Sequence, residues 1–324
     1  HNNITMSSQK MLMLVFLVVA PFMCLGQGTT NVGVVYKWSS SNVIPKNLDF
    51  VKASSSSSGK KVVVVCDKKG IIISSDSGAT FAQASGVPAG REWESVASSD
   101  DGQVLLASGE GMYTLYKSAD GGATWEVTHT TSNHGYDNVA VSASGTSLMA
   151  YSDAFYSSSD SGTSWSTTAF ASGASNSIAF GATDQEMFVC TTSGVFKSAD
   201  AGASVNSIYS ERCDNMAVSR DGKHIVINSG GPVVTSHDGG TNWVTKSFKD
   251  VTGVTTNSNN GWKDLAISDD GQTICAANEW KGVFISTDGG LTKYNKVQSA
   301  GHRMCTVSGD GENIVVGSAY QIRI

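Results

Sequence analysis

The chain has 324 residues, with 35 glycines, 4 prolines, 15% charged residues and a formal net charge of −6. Glycine stands above its usual share and charge well below, which excludes a helical bundle with Glu- and Lys-rich outer faces. Glycine without a period of three excludes collagen, and abundant apolar residues exclude wholesale disorder, leaving a fold of many short strands and tight turns.

Residues 1–5 precede Met6 and read as translated leader. From Met11 to Leu25 the chain runs MLMLVFLVVAPFMCL, flanked by Lys10 and by the small residues Gly26 and Gly28. A basic flank, a short apolar core and small residues at a cut point predict a secretory signal over 1–26, leaving Gln27 first. The run is shorter than a membrane span and is broken by Pro21, so no stable span is expected after cleavage. Loss of Lys10 moves the net charge to −7. The mature chain, 27–324, is expected to be secreted and extracellular, a single domain and a monomer. No basic run occurs anywhere, so nucleic acid and anionic membrane are not expected partners.

Five cysteines remain: Cys66, Cys190, Cys213, Cys275 and Cys305. None forms a CxxC, so no zinc or thioredoxin site is expected, and no cofactor or other metal either. Buried thiols and disulfides are both compatible with this set.

A repeat of about forty residues organises the rest. Six segments share one turn signature: SSDSGATF (74–81), SADGGATW (118–125), SSDSGTSW (158–165), SADAGASV (198–205), SHDGGTNW (236–243) and STDGGLTK (286–293). Their aspartates, Asp76, Asp120, Asp160, Asp200, Asp238 and Asp288, are spaced by 44, 40, 40, 38 and 50 residues. Upstream of each lies an alternating strand, a turn and a second apolar strand, clearest in 138–152, 215–229 and 264–278, with a seventh copy at 304–318 and a divergent one at 49–66. Four antiparallel strands per unit is a propeller blade. The sequence therefore predicts an all-β, seven-bladed β-propeller of four-stranded antiparallel blades. The expected blades are approximately 47–91, 92–135, 136–174, 175–211, 212–260, 261–300, and 301–324 together with 31–38. In this reading the N-terminal strand NVGVVYKW (31–38) completes the last blade and closes the ring.

The S-x-D-x-G-x-[ST]-W signature resembles the Asp box, or BNR repeat, of sialidases, sortilin-type receptors and photosystem II assembly factors. The resemblance implies the fold and no particular activity. The box residues have a structural reading that needs no ligand: the Asp accepts turn amides, the Gly takes a left-handed conformation, and the aromatic packs between blades. Trp125, Trp165 and Trp243 fill that aromatic slot and Phe81 substitutes in the first box, whereas Val205 and Lys293 depart from it.

Asp boxes and inner hairpin turns are expected on one face, and the interblade links and second-to-third loops on the other. Aligned repeats place Leu48, Glu94, Asp137, Asn176, Asp214, Lys263 and Arg303 at one level of that second face. One residue earlier come Asn47, Trp93, Tyr136, Ser175, Cys213, Trp262 and His302. The second-to-third loops add Asp67, Glu110, Asp153 and Glu279, with Trp280 beside the last. An aromatic and acidic mouth suits stacking on a sugar ring or enclosing a cationic or aromatic ligand. Its expected ligand-binding residues are Trp93, Glu94, Tyr136, Asp137, Asp214, Trp262, Lys263, Glu279, Trp280, His302 and Arg303. The alternative reading makes them core caps and solvated charges. The long link 246–264 falls on the same face. The alignment also favours Cys190 with Cys213 if one bridge exists, with Cys66 and Cys305 comparably placed.

Two functional classes follow. One is a binding module for a glycan, small-molecule or protein ligand. The other is a secreted enzyme, foremost a glycoside hydrolase using paired carboxylates, with Glu94, Asp137, Asp214 and Asp264 as candidates. The sialidase resemblance implies an arginine clamp, and Arg91, Arg212 and Arg303 map to the mouth. The position of the family's Arg-Ile-Pro segment reads Val43-Ile44-Pro45, without the arginine. The assembly-factor resemblance implies a basic groove, which the few arginines do not favour.

Overall fold

The computed structural model describes residues 49–323 apart from positions 89, 110, 112, 133, 171–174, 248–249, 252–260, 293, 299–300 and 319–320. The signal, the 31–38 strand, Leu48, Glu110, Lys293 and most of the long link thus lie outside the described residues.

Blade one comprises β1 (Asp49–Ser55), β2 (Val62–Asp67), β3 (Gly70–Ser74) and β4 (Ala82–Gln83). Blade two comprises β5 (Ser95–Ser98), β6 (Leu105–Ser108), β7 (Thr114–Ser118) and β8 (Glu126–Thr130). Blade three has β9 (Asn138–Val141), β10 (Leu148–Tyr151), β11 (Phe155–Ser158) and β12 (Ser166–Thr167). Blade four has β13 (Ser175–Phe180), β14 (Met187–Thr191), β15 (Gly194–Ser198) and β16 (Asn206–Tyr209). Blade five has β17 (Asn215–Val218), β18 (Ile225–Asn228), β19 (Val233–Ser236) and β20 (Val244–Lys246). Blade six has β21 (Trp262–Ile267), β22 (Ile274–Asn278), β23 (Gly282–Ser286) and β24 (Asn295–Gln298). A terminal sheet holds β25 (His302–Val307), β26 (Ile314–Ser318) and β27 (Gln321–Arg323). Every sheet is an antiparallel meander in chain order.

This corrects the expected seven four-stranded blades closed by an N-terminal strand. Among the described residues there are six four-stranded blades and a terminal sheet of three strands. Side-chain packing joins the seam: Met304 and Val315 of the terminal sheet share a core layer with Phe50, Ala53, Val62 and Val64 of blade one. A ring of twisted sheets needs such a layer at every junction, and hydrophobic area at the seam can close it without a shared strand.

The second strand of each sheet is buried on both sides, which is why VVVVC, LLAS, LMAY and MFVCT read as continuous apolar runs rather than alternating ones. The core lies between blades. Val63, Val65 and Ile71 of blade one, for example, meet Trp93, Val96 and Leu105 of blade two.

The Asp boxes lock each blade internally. In the second box Ser118 Oγ donates to Asp120 Oδ1 (2.8 Å) and accepts Gly122 N (2.8 Å), while Thr124 N donates to Oδ1 (2.8 Å) and Thr124 Oγ1 to Oδ2 (2.6 Å). The same set recurs around Asp76, Asp160, Asp200 and Asp238, while at Asp288 both Thr292 donors reach Oδ2 and Ser286 takes Oδ1. Hydrogen bonds from Thr124, Ser164, Ser204 and Asn242 push Asp120, Asp160, Asp200 and Asp238 down to about 2. With both oxygens committed to turn donors, the boxes are structural. Backbone bonds Gly121 N to Gln103 O and Gly239 N to Lys223 O (both 2.9 Å) fasten each box to its own inner turn, so both lie on one face.

Glycine couples neighbouring blades on that face. A Cβ on Gly122 (φ +93°) would meet Ile73 Cδ1 of the preceding blade at 2.0 Å, and one on Gly271 (φ +72°) would meet the His224 ring at 2.1 Å. The glycine excess is thus a packing requirement between blades as well as a turn requirement.

Candidate functional site

Opposite the boxes, four inner strands carry a β-bulge at one level near the mouth. The extra residues are Val51, Asn176, Lys263 and Arg303, each skipped by the ladder to the neighbouring strand. A bulge re-aims a side chain that strict pleating would send elsewhere. In blades two, three and five the corresponding Glu94, Asp137 and Asp214 precede their strands. The register places Val51, not Leu48, at this level of blade one. Polar runs in 54–58 hid the frame.

Three of the bulged residues and Glu94 border one cleft of about 440 Å³, lined by Phe50, Val51, Asp67, Glu92, Trp93, Glu94, Lys263 and Arg303. Its two sides carry opposite charge. On one side stand Asp67, Glu92 and Glu94, with Lys68 paired to Glu92 at 3.0 Å. On the other, Arg303 donates to Glu279 Oε1 from Nε (2.8 Å) and Nη2 (2.5 Å), and Lys263 reaches Oε2 at 3.3 Å. Arg303 first, then Lys263, holds Glu279 below the usual carboxylate range. Two buried atoms bordering the acidic side lack hydrogen-bond partners, Trp93 Nε1 and Asp67 Oδ1. Unpaired buried polar atoms are rare in folded proteins and mark places where water or a ligand completes the network.

The expected aromatic ring is mostly a set of wedges. Trp93, Tyr136, Trp262 and His302 are buried, and each sits at a blade junction. Trp93 packs edge-on against Tyr116. Tyr136 joins the core layer of blades two and three. Trp262 packs against Phe284 while its Nε1 donates to Gly231 O at 2.9 Å. These side chains are buried at blade junctions, and Trp93 also lines the cleft. Trp280 alone of the mouth aromatics is exposed, at 54%. Asn278 Oδ1 accepts its backbone amide.

The four candidate carboxylates are not equivalent. Asp264 is 2% exposed and accepts Lys52 Nζ at 2.5 Å and Cys305 N at 3.0 Å. Asp214 is held by Arg212 Nε at 2.6 Å and Gly230 N at 2.8 Å. Glu94 is half-buried at the cleft and Asp137 is exposed in blade three. The structure brings Glu94, Lys263 and Arg303 together at one cleft, with Glu279 bridging the two cations. Sequence reasoning missed Glu92, Phe50 and Val51 as lining residues. The charged EWE at 92–94 was the available signal for the first.

Cys190 and Cys213 form a disulfide, with Cα atoms 5.5 Å apart, tying the end of β14 to the link before β17. Cys66, Cys275 and Cys305 are buried thiols. Among the described residues no group of three or more His, Cys, Asp or Glu is placed to hold a metal, and no helix is long and apolar enough to cross a membrane.

The architecture and its mouth define the class: an all-β propeller with a charged cleft at one axial opening. No protein-family model matches the chain, and no curated protein sequence matches it. Solved structures do. The GH74 enzyme of Niastella koreensis superposes with a TM-score of 0.67 at 15% identity, over 86% of this chain and 43% of that one. The GH74 xyloglucanase of Xanthomonas campestris gives 0.69 at 15% identity, over 89% of this chain and 53% of that one. YCF48 bound to D1 peptide gives 0.62 at 17% identity, over 90% and 97%. The chain thus spans about half the length of the GH74 enzymes and nearly all of YCF48. At these identities the likeness establishes the propeller fold alone.

Proposed function

We propose that this protein is a secreted binding module whose mouth cleft takes a charged segment of a protein partner. The observation that carries the reading is the cleft between the Asp67–Glu92–Glu94 side and the Lys263–Arg303 side, with Trp93 Nε1 and Asp67 Oδ1 unpaired at its edge. Opposed charges select a ligand bearing both signs, which polypeptide offers and neutral sugar does not. Burial of Trp93, Tyr136 and Trp262 removes the flat platforms that glycan stacking uses, leaving Trp280 at the rim. The full-length likeness to YCF48, one structure of which holds D1 peptide, is consistent with this reading. Commitment of Asp264 and Asp214 to internal partners weighs against paired-carboxylate hydrolysis, which needs two carboxyl groups turned to substrate. The Cys190–Cys213 bridge supports an oxidising, extracytoplasmic location.

The test is fluorescence anisotropy with a peptide library varying in charge, run beside a set of neutral oligosaccharides. Peptides carrying both signs are expected to bind, with affinity falling about tenfold in Arg303→Ala and in Glu94→Gln, the equivalent of about 1.4 kcal/mol. Binding unchanged in both variants, or turnover of an oligosaccharide that Glu94→Gln abolishes, would overturn the reading.

A further inference from the structure

On the opposite face, blades five and six meet over a pair of histidines. His224 follows the β17–β18 turn and His237 lies inside the Asp box of the same blade, their Nδ1 atoms 3.0 Å apart. The rings are set edge to face at 78°. Blade six covers both. Gly271 of its inner turn lies against the His224 ring, and a Cβ on Gly289 of its Asp box would stand 3.0 Å from His237 Cε1. His237 Nε2 is buried and has no hydrogen-bond partner.

Two imidazole nitrogens at this distance share one proton, one donating and the other accepting. An unpaired buried N–H costs more than an unpaired lone pair, so the proton belongs on His237 Nδ1, and His224 Nδ1 accepts. Charging both rings takes two added protons: it removes the only acceptor, places two cations with facing nitrogens 3.0 Å apart and leaves an N–H on His237 Nε2 with nothing to receive it.

We propose that the His224–His237 pair is a proton-sensitive latch between blades five and six, closed while the pair holds one shared proton and sprung when both rings are charged.

Charges around the pair do not relieve the added protons. On blade five Asp221 accepts from Ser219 Oγ and Lys223 N, and Lys223 stands beside it at 3.9 Å. Asp238, and Asp288 of blade six, attract His237 at a distance, yet their oxygens are filled by their own boxes. From blade four Lys197 approaches Gly239, but it is paired with Glu186 at 2.7 Å. Desolvation first, then the charge of His224, holds His237 below the usual histidine value. Such a group stabilises the fold above its unfolded pKa of about 6.5, and that contribution is lost as pH falls through the lower folded value. The latch therefore opens on acidification, the change met on passing from a neutral exterior to an acidic compartment.

The test is hydrogen exchange by mass spectrometry on the full chain, with exchange times corrected for the intrinsic pH dependence, from pH 7.5 to 5. In the wild type, protection of β17–β19 and β21–β23 is expected to fall up to about tenfold more per pH unit than that of β5–β7, one proton's worth of linkage. His237→Gln and His224→Asn should flatten that difference. Nitrogen-15 shifts should report an Nδ1-protonated His237 at pH 7.5. Loss of protection uniform around the ring, a regional difference that both variants retain, or two histidines titrating independently near 6.5 would overturn the proposal. Should one variant fail to fold, the other and the wild-type shifts decide the question.

Discussion

Lys52 and Asp264 stand 212 residues apart in the chain and 2.5 Å apart in the fold. Lys52 lies on β1 and Asp264 on β21, while the other Asp264 oxygen accepts Cys305 N of β25, between them. One carboxylate therefore ties blade six, the terminal sheet and blade one across the seam. Ser95 Oγ, accepting Val139 N, and Ser177 Oγ, donating to Met216 O, make the corresponding links between other blades with neutral atoms. The seam adds a charge where these two junctions use a hydroxyl.

Asp264→Ala is expected to cost about 2–4 kcal/mol, since it strands both an ammonium and a buried amide. Lys52→Ala should cost about 2–3 kcal/mol, because it leaves the Asp264 carboxylate, 2% exposed, buried without its cation. Urea unfolding of both variants and the double mutant measures the coupling. Desolvation lowers the Lys52 pKa, but the Asp264 carboxylate outweighs it and the net shift is upward. The contribution of the Lys52 charge is therefore present below about 10.4 and lost as pH rises beyond.

The disulfide closes a loop of 23 residues, both sulfurs buried between blades four and five. Replacing Cys190 and Cys213 together by serine should lower stability by about 3 kcal/mol. Thermal unfolding with and without reductant, in wild type and variant, checks this. The variant should show no reductant dependence.

The Asp boxes carry an acid prediction and a metal prediction. Four aspartates at about 2, against an ordinary 3.8, hold stability that is fully present above pH 4 and lost as pH falls towards 2. Circular dichroism should show cooperative unfolding in that window, shifted to higher pH in Asp160→Asn. Because turn donors occupy both oxygens of each box, chelators and added calcium should leave the melting temperature unchanged.

Two glycine-to-alanine changes separate strain from crowding. Gly122→Ala meets Ile73 at 2.0 Å and a left-handed backbone, and should cost about 2–4 kcal/mol. Gly111→Ala has φ +65° but nothing within 4 Å, so its cost should be about 1 kcal/mol. Conversely Ala201, held at φ +58°, should tolerate glycine with a small gain. Denaturant midpoints rank all three.

The aligned repeat placed three of the cleft's lining residues on one face. It put Glu94, Lys263 and Arg303 at one level because each stands at the same count before the first aligned apolar position of its repeat. It could not separate the two readings of Trp93, Tyr136 and Trp262, because an aromatic at a blade junction and one at a ligand platform occupy the same place in the pattern. Only the position of the neighbouring blade tells them apart.

Local turn chemistry lies within eight residues, so the sequence by itself determined the Asp boxes, the strand order within each blade and the face on which the boxes lie. The alignment favoured Cys190 with Cys213 but placed Cys66 and Cys305 comparably, and the structure chose the first pair. Only the tertiary structure decided how the described residues meet at the seam, where a three-stranded terminal sheet packs on blade one. It also decided which inner strands bulge, and that Lys52 meets Asp264. A bulge is a single-residue slip that leaves hydrophobic alternation almost unchanged. A contact across 212 residues depends on the summed twist and packing of every blade between, and no local pattern carries that sum.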